Sequence, residues 1–206
     1  LEITLTRPYA GENAGTRTHN RRQKILAAGK KCFGSKGFSK ATVKNICLEA
    51  GLTERYFYES FKNKEDLLAE IYILLMESMM NVVRHETIKH KNNPSDAIHA
   101  FLNSYFLLFK NDPDRAQIQL FEILGVSERL NTIYQTKIRE ATQLMKDTVS
   151  EISEIELSKD LSIIYFTALS GALWQIANEW VISGLKEDIR DLIEPLEKMI
   201  FTFINK

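Results

Sequence analysis

The chain has 206 residues, of which 44% are hydrophobic and 26% charged, so it can bury a core and does not read as a disordered polypeptide. Lys and Arg number 27, Asp and Glu number 27, and two cysteines are too few for a disulfide framework or a cysteine-rich zinc site. No run of about 18 uncharged apolar residues occurs and no basic-then-apolar signal pattern opens the chain, which argues against a membrane span or secretion and for a cytoplasmic protein.

The overall neutrality conceals an uneven distribution. Residues 1–70 carry 13 basic against eight acidic residues, and residues 71–206 carry 14 against 19. Between 17 and 64 there are 12 basic and three acidic residues, net +9. A basic front is the electrostatic footprint of nucleic-acid binding, although a solvated lysine-rich face has the same composition.

In chain order, residues 1–20 have turn formers and no sustained periodicity, so a mobile tail is expected. A first helix is predicted from about Arg21 to Lys36, with Ile25, Ala28, Cys32 and Phe33 on one face and Gly37 closing it in a left-handed cap. Thr42 is placed to cap a second helix, Val43–Ala50, and Thr53 a third, Glu54–Phe61, across a short turn at Gly51. Two short helices joined by a tight glycine-containing turn make a helix-turn-helix layout. Asn63 then caps a long fourth helix reaching about His90, roughly 40 Å of continuous rod at 1.5 Å per residue.

Farther along, Asn93-Pro94 and Asp112-Pro113 read as cap and first-turn proline. They start helices near 95–110 and 113–124, and another follows near 128–152. A further apolar stretch runs from Lys159 to Ser183-Gly184, and a last helix spans about 187–204. Pro195 is awkward inside it, implying a kink or a start nearer Asp191. Cys32 and Cys47 fall at inward-facing helical positions and read as small buried hydrophobes.

On the third helix Phe57 and Phe61, four residues apart, pack inward and leave Glu54, Arg55, Tyr56 and Glu59 to face outward. In a major groove Arg55 would donate to guanine, Glu54 accept from cytosine, and Tyr56 meet a thymine methyl or a phosphate. Thr42, Lys44, Thr53, Tyr58, Lys62 and Lys64 surround that surface with hydroxyl and ammonium donors suited to phosphate.

Together the residues Ile25-Leu26-Ala27-Ala28, Phe33, Gly37-Phe38, Ala41-Thr42-Val43, Ile46, Ala50-Gly51-Leu52-Thr53, Phe57-Tyr58, Phe61 and Lys64-Glu65-Asp66-Leu67-Leu68 resemble the tetracycline-repressor (TetR) family of bacterial transcription regulators. The resemblance implies a three-helix DNA-binding domain, in a homodimer whose larger C-terminal helical domain binds an effector. It also implies groove or phosphate contact at Lys44 and phosphate contact at Tyr58 and Lys64. Two positions depart from the family pattern: Gly29 stands where Ala is usual, and Arg55 at a site often filled by Gly.

Beyond residue 70 the resemblance holds in outline. Ser170-Gly171-Ala172-Leu173-Trp174 to Trp180 looks like the family's penultimate helix, which with the last helix implies a four-helix dimer interface. Trp180, Leu192, Leu196, Met199 and Phe203 are the expected dimerisation residues, with packing inside the protomer as the alternative. Tyr105, Phe109, Gln119, Glu122, Tyr134, Phe166, Trp174 and Asn178 mix aromatic walls with a few polar groups, as a mostly apolar ligand pocket needs. Glu122 is the foremost candidate to orient a cationic or hydroxylated ligand.

His19, His85, His90 and His99 show no metal spacing, and no phosphate loop or nucleophile–base pairing is present. Neither an enzyme nor a cofactor or metal is expected. The reading is an all-α protein of about nine helices: a mobile tail over 1–20, a three-helix helix-turn-helix DNA-binding domain over 21–66, and a larger effector-binding and dimerisation domain over 67–206. Its expected function is ligand-responsive transcriptional regulation. The expected form is a repressor released from pseudo-palindromic double-stranded operator DNA by a small, largely apolar effector. The alternative is a helical small-molecule-binding or interaction protein without specific DNA regulation.

Overall fold

The structure is a computed structural model that describes the backbone of residues 14–153 and 159–204, and the side chains of 15–152 and 163–202. Among the described residues it is all-α. The elements are α1 (Ala14–Lys36), α2 (Val43–Ala50), α3 (Glu54–Tyr58), α4 (Lys64–Ile88), α5 (Pro94–Lys110), α6 (Pro113–Gln117), α7 (Glu128–Ser153), α8 (Lys159–Ile182) and α9 (Ile189–Ile204). A π-helical turn, Ile118–Glu122, continues directly from α6.

Side-chain caps set most of the starts. Thr42 accepts from the Asn45 amide at 3.1 Å, Asn63 from Asp66 at 2.8 Å, and Asp112 from Arg115 at 3.1 Å. Asn93 accepts from the amides of Ser95 and Asp96. Each bond satisfies an amide that the first helical turn leaves without a partner. Thr53 differs from expectation: it occupies the cap position of α3 but makes no side-chain cap bond.

Four boundaries also differ. The first helix begins at Ala14, so residues 14–20, expected to be irregular, are helical, while 1–13 lie outside the described residues. The third ends at Tyr58 rather than Phe61. The helix expected over 113–124 is a short α6 followed by the π turn. The last helix starts at Ile189 and runs through Pro195, whose missing amide leaves only the second turn short of a bond.

Among the described residues two hydrophobic cores form. One joins α1–α3 to the first half of α4: Ile25, Phe33, Ile46, Phe57, Leu67, Leu68, Ile71, Tyr72 and Met76 are buried together, along with Ile118, Ile123 and Leu130 from farther along the chain. The other packs α5, α8 and α9 with parts of α4 and α7, around Phe106, Phe109, Phe166, Leu173, Trp180 and Ile193. Cys32 and Cys47 are free thiols buried in the first core. Gly29 explains its own departure from Ala: a Cβ there would lie 2.6 Å from the Leu67 side chain, so the missing methyl lets α4 close on α1.

Candidate nucleic-acid interface and ligand cavity

The α2–α3 pair forms the turn that its sequence suggests. Gly51 takes the left-handed conformation, φ 64°, and the Leu52 amide donates to the Cys47 carbonyl at 2.9 Å. Phe57 and Phe61 anchor the turn from below, their ring centroids 5.8 Å apart and both side chains buried. The opposite side leaves Thr42, Lys44, Thr53, Glu54, Arg55, Tyr58 and Lys62 exposed, with Tyr56 half-buried.

Local partners orient several of these groups. The Arg55 guanidinium donates to Glu59 one helical turn on, at 3.1 Å, and its side chain keeps 84% of its surface exposed. Arg21 of α1 lies 4.3 Å over the Tyr56 ring and 4.0 Å from Glu59, tying the reading helix to the first helix. Tyr58 packs edge-on against Phe57 while the rest of its side chain faces solvent.

Lys64 is placed differently from the expected phosphate donor. Its ammonium donates to the carbonyls of Phe38 at 2.8 Å and Ala41 at 3.2 Å, and lies 4.2 Å over the Phe38 ring. This cation therefore holds the loop between α1 and α2 rather than standing open to a phosphate. Other basic residues of the front are paired as well: Arg22 with Glu70 at 2.5 Å and Lys30 with Asp112 at 2.5 Å.

A cavity of about 80 Å³ lies among α4, α5, α7, α8 and the π turn. Met76, Met79, Met80 and Met145, four of the chain's five methionines, line it together with Val83, Phe101, Leu120, Leu144 and Leu173. Three polar atoms are buried in its wall without a hydrogen-bond partner among the described residues: the Tyr72 hydroxyl, Gln119 Oε1 and Trp174 Nε1. Burial, with Tyr134 and Tyr105 nearby, pushes the Tyr72 hydroxyl well above the usual phenol range, so it remains a neutral donor. Arg84 stands at the rim, held by Thr148 and Glu151 at 3.3 Å each.

Tyr105, Phe109, Gln119 and Trp174 of the sequence-predicted pocket line this cavity. The other four are elsewhere. Tyr134 lies behind the wall, its ring 6.3 Å from that of Tyr72. Phe166 is fully buried in the body's core, and Asn178 is half-buried outside the lining. Glu122, expected to orient a ligand, instead accepts from the backbone amide of Phe38 at 2.7 Å and from Gln117 Nε2 at 2.7 Å. Tyr72, Arg84 and the methionines were not anticipated; the only sequence signal was polarity and thioethers interrupting the aliphatic face of the fourth helix.

The residues expected at a dimer interface divide too. Trp180 and Leu196 are buried in the protomer's own core, and Trp180 Nε1 donates to the Glu187 carbonyl at 3.0 Å. Leu192 is half-buried, Met199 is 39% exposed, and the Phe203 side chain lies outside the described residues. The apolar surface of α8 lies elsewhere, at Ile164 and Ile182, each 69% exposed. These are 18 residues apart, five full turns of helix, whereas Trp180 sits about 160° around from Ile164.

A helix-turn-helix head carried on a helical body with an internal cavity defines a ligand-responsive DNA-binding regulator. Residues 25–71 match the profile of the bacterial regulatory proteins, tetR family. The fatty acid metabolism regulator protein of Bacillus subtilis (strain 168) is 20% identical over 185 residues, spanning 88% of this chain and 94% of that protein. The fatty acid degradation regulator FadR of Bacillus halodurans superposes with a TM-score of 0.72 at 20% identity, over 87% of this chain and 93% of the other. The transcriptional regulator FadR of B. subtilis, solved in complex with stearoyl-CoA, gives 0.72 at 20% identity over 86% and 96%. Residues 25–71 thus carry the helix-turn-helix head of the tetR family of bacterial regulatory proteins, and the chain as a whole shares the fold of these regulators.

Among the described residues no helix is long and apolar enough to cross a membrane, and no group of three or more His, Cys, Asp or Glu could hold a metal ion.

Proposed function

We propose that the protein is a homodimeric repressor whose α2–α3 pair enters the major groove of a pseudo-palindromic operator and which leaves it when an amphiphile with an acyl chain enters the cavity. The observation that carries the effector assignment is the trio Tyr72, Gln119 and Trp174, buried and unpartnered in an otherwise apolar, methionine-rich wall. Two donors and one acceptor with no charged group among them suit a neutral carbonyl compound joined to hydrocarbon, because a buried polar group without a partner is costly. A thioester carbonyl has that chemistry, and the relative solved with stearoyl-CoA supports it.

About 80 Å³ is a small space, given that a water molecule's share of liquid volume is about 30 Å³. A long acyl chain therefore enters only if the four methionines re-pack, which their unbranched, flexible side chains allow. Binding would then act as a population shift, favouring a conformer whose two heads no longer match adjacent major grooves, about 34–36 Å apart.

Fluorescence anisotropy of the dimer on the promoter fragment beside its own gene tests this, with stearoyl-CoA, free CoA and stearate as competitors. Stearoyl-CoA is expected to release the DNA and change Trp174 emission, and CoA alone to do neither. Binding no tighter than to a random fragment would favour the helical small-molecule-binding alternative. Specific binding that none of the three ligands alters would overturn the acyl assignment.

A further inference from the structure

The π turn Ile118–Glu122 faces two places at once. Gln119 lines the cavity, donating from Nε2 to Met76 Sδ at 3.0 Å and leaving Oε1 without a partner among the described residues. Three residues on, Glu122 Oε2 accepts from the Phe38 amide at 2.7 Å, across the gap to the head. Gly37 is part of that contact: its φ is 80°, and a Cβ there would stand 3.2 Å from Glu122 Oε1.

Phe38 is thus held on both sides of its backbone. Its amide donates to Glu122 of the body, and its carbonyl accepts from Lys64 at the start of α4. The loop so pinned leads straight to Thr42, the cap of α2 and the entry to the reading head. Two further contacts fix the α6 end of the same element against α1: the Lys30–Asp112 pair at 2.5 Å, and Asp114, whose Cα would lie 2.5 Å from a Cβ on Gly34. Arg115 donates to the Leu75 carbonyl at 2.9 Å, so α6 also grips α4.

We propose that Glu122 is a positioning residue that couples the state of the cavity at Gln119 to the loop that sets the reading head. The proposal rests on the effector-responsive reading above. A π turn differs from an α turn by a discrete change of hydrogen-bond register, from i→i+5 to i→i+4. A register change of one residue rotates the residues beyond the turn by about 100°. A group that engages Gln119 and draws the turn into α geometry therefore swings Glu122 away from the Phe38 amide. The element has two arrangements rather than a continuum, as a coupling device requires.

The test needs neither operator nor effector. Amide hydrogen exchange at Phe38 is measured by NMR in the full chain, for the wild type, Gln119→Leu, Glu122→Ala and the double variant. Glu122→Gln is added because it keeps an acceptor oxygen. Gln119→Leu is expected to change Phe38 exchange at least threefold in the wild-type background and to have no effect once Glu122 is Ala. Glu122→Gln should retain part of that response.

Additive effects on Phe38, or a Phe38 amide equally protected with and without the carboxylate, would overturn the proposal. If Glu122→Ala fails to fold, the Glu122→Gln comparison decides: an unaltered Gln119→Leu response at Phe38 in its background overturns the coupling, and a reduced one supports it. Because this readout involves no DNA, its failure is distinct from failure to find an operator.

Discussion

Arg55 keeps 84% of its side-chain surface exposed, and its partner one turn on, Glu59, is itself 39% exposed. An exposed i,i+4 pair contributes about 0.3–0.5 kcal/mol, whereas a bidentate contact to guanine discriminates by about 1–3 kcal/mol. The pair is therefore easily exchanged for a base. Arg55→Ala is expected to weaken specific binding by roughly 10- to 100-fold and to relax preference at one base pair, measured by anisotropy against single-base operator variants; unchanged selectivity would exclude it from base reading. That exposed position was legible from the spacing of Phe57 and Phe61. Lys64 was not: a lysine stem reaches either outward to phosphate or back to a carbonyl, and only the fold decides. Tyr72 escaped for the same reason, because its hydroxyl has meaning only once the neighbouring helices leave it without a partner.

At the scale of elements, starts marked by Thr42, Asn63, Asn93 and Asp112 could be read directly, since each cap is a local interaction between residues two or three apart. The misread boundaries lack such a local signal. Residues 14–20 have no apolar periodicity yet extend α1, and the π turn Ile118–Glu122 has no side-chain cap to mark it. Gly34 belongs to this scale because it decides how closely α6 meets α1. A methyl there would fall 2.5 Å from the Asp114 backbone, which no side-chain rotation relieves. Alanine's helix propensity returns about 1 kcal/mol, but the overlap costs about 1–3 kcal/mol. Gly34→Ala should therefore lower the urea midpoint of unfolding; an unchanged or higher midpoint would show that α6 shifts freely along α1.

For the whole molecule, the outer stripe of α8 supports assembly as a dimer. Ile164, Ala168, Gly171, Gln175 and Ile182 share one exposed face, and the small residues at its centre permit close approach of a second helix. Replacing Ile164 and Ile182 together by Glu is expected to give a folded monomer by sedimentation and circular dichroism, with much weaker operator binding. A dimer that survives the double change would locate the interface elsewhere. The interface residues expected from sequence lie off this stripe: α8 is apolar on more than one face, with Trp180 on the inward one, and Leu192, Leu196, Met199 and Phe203 belong to α9.

The shared first core has a bearing on how freely such heads can be exchanged between proteins. Leu67, Leu68, Ile71, Tyr72, Leu75 and Met76 of α4, with Ile118, Ile123 and Leu130, fill the space beneath α1–α3. A graft cut at residue 66 would carry the surface that meets DNA but leave behind the side chains it rests on. The transplantable unit includes α4 through Met76 and the Ile118–Leu130 stretch, and it therefore brings part of the cavity wall with it.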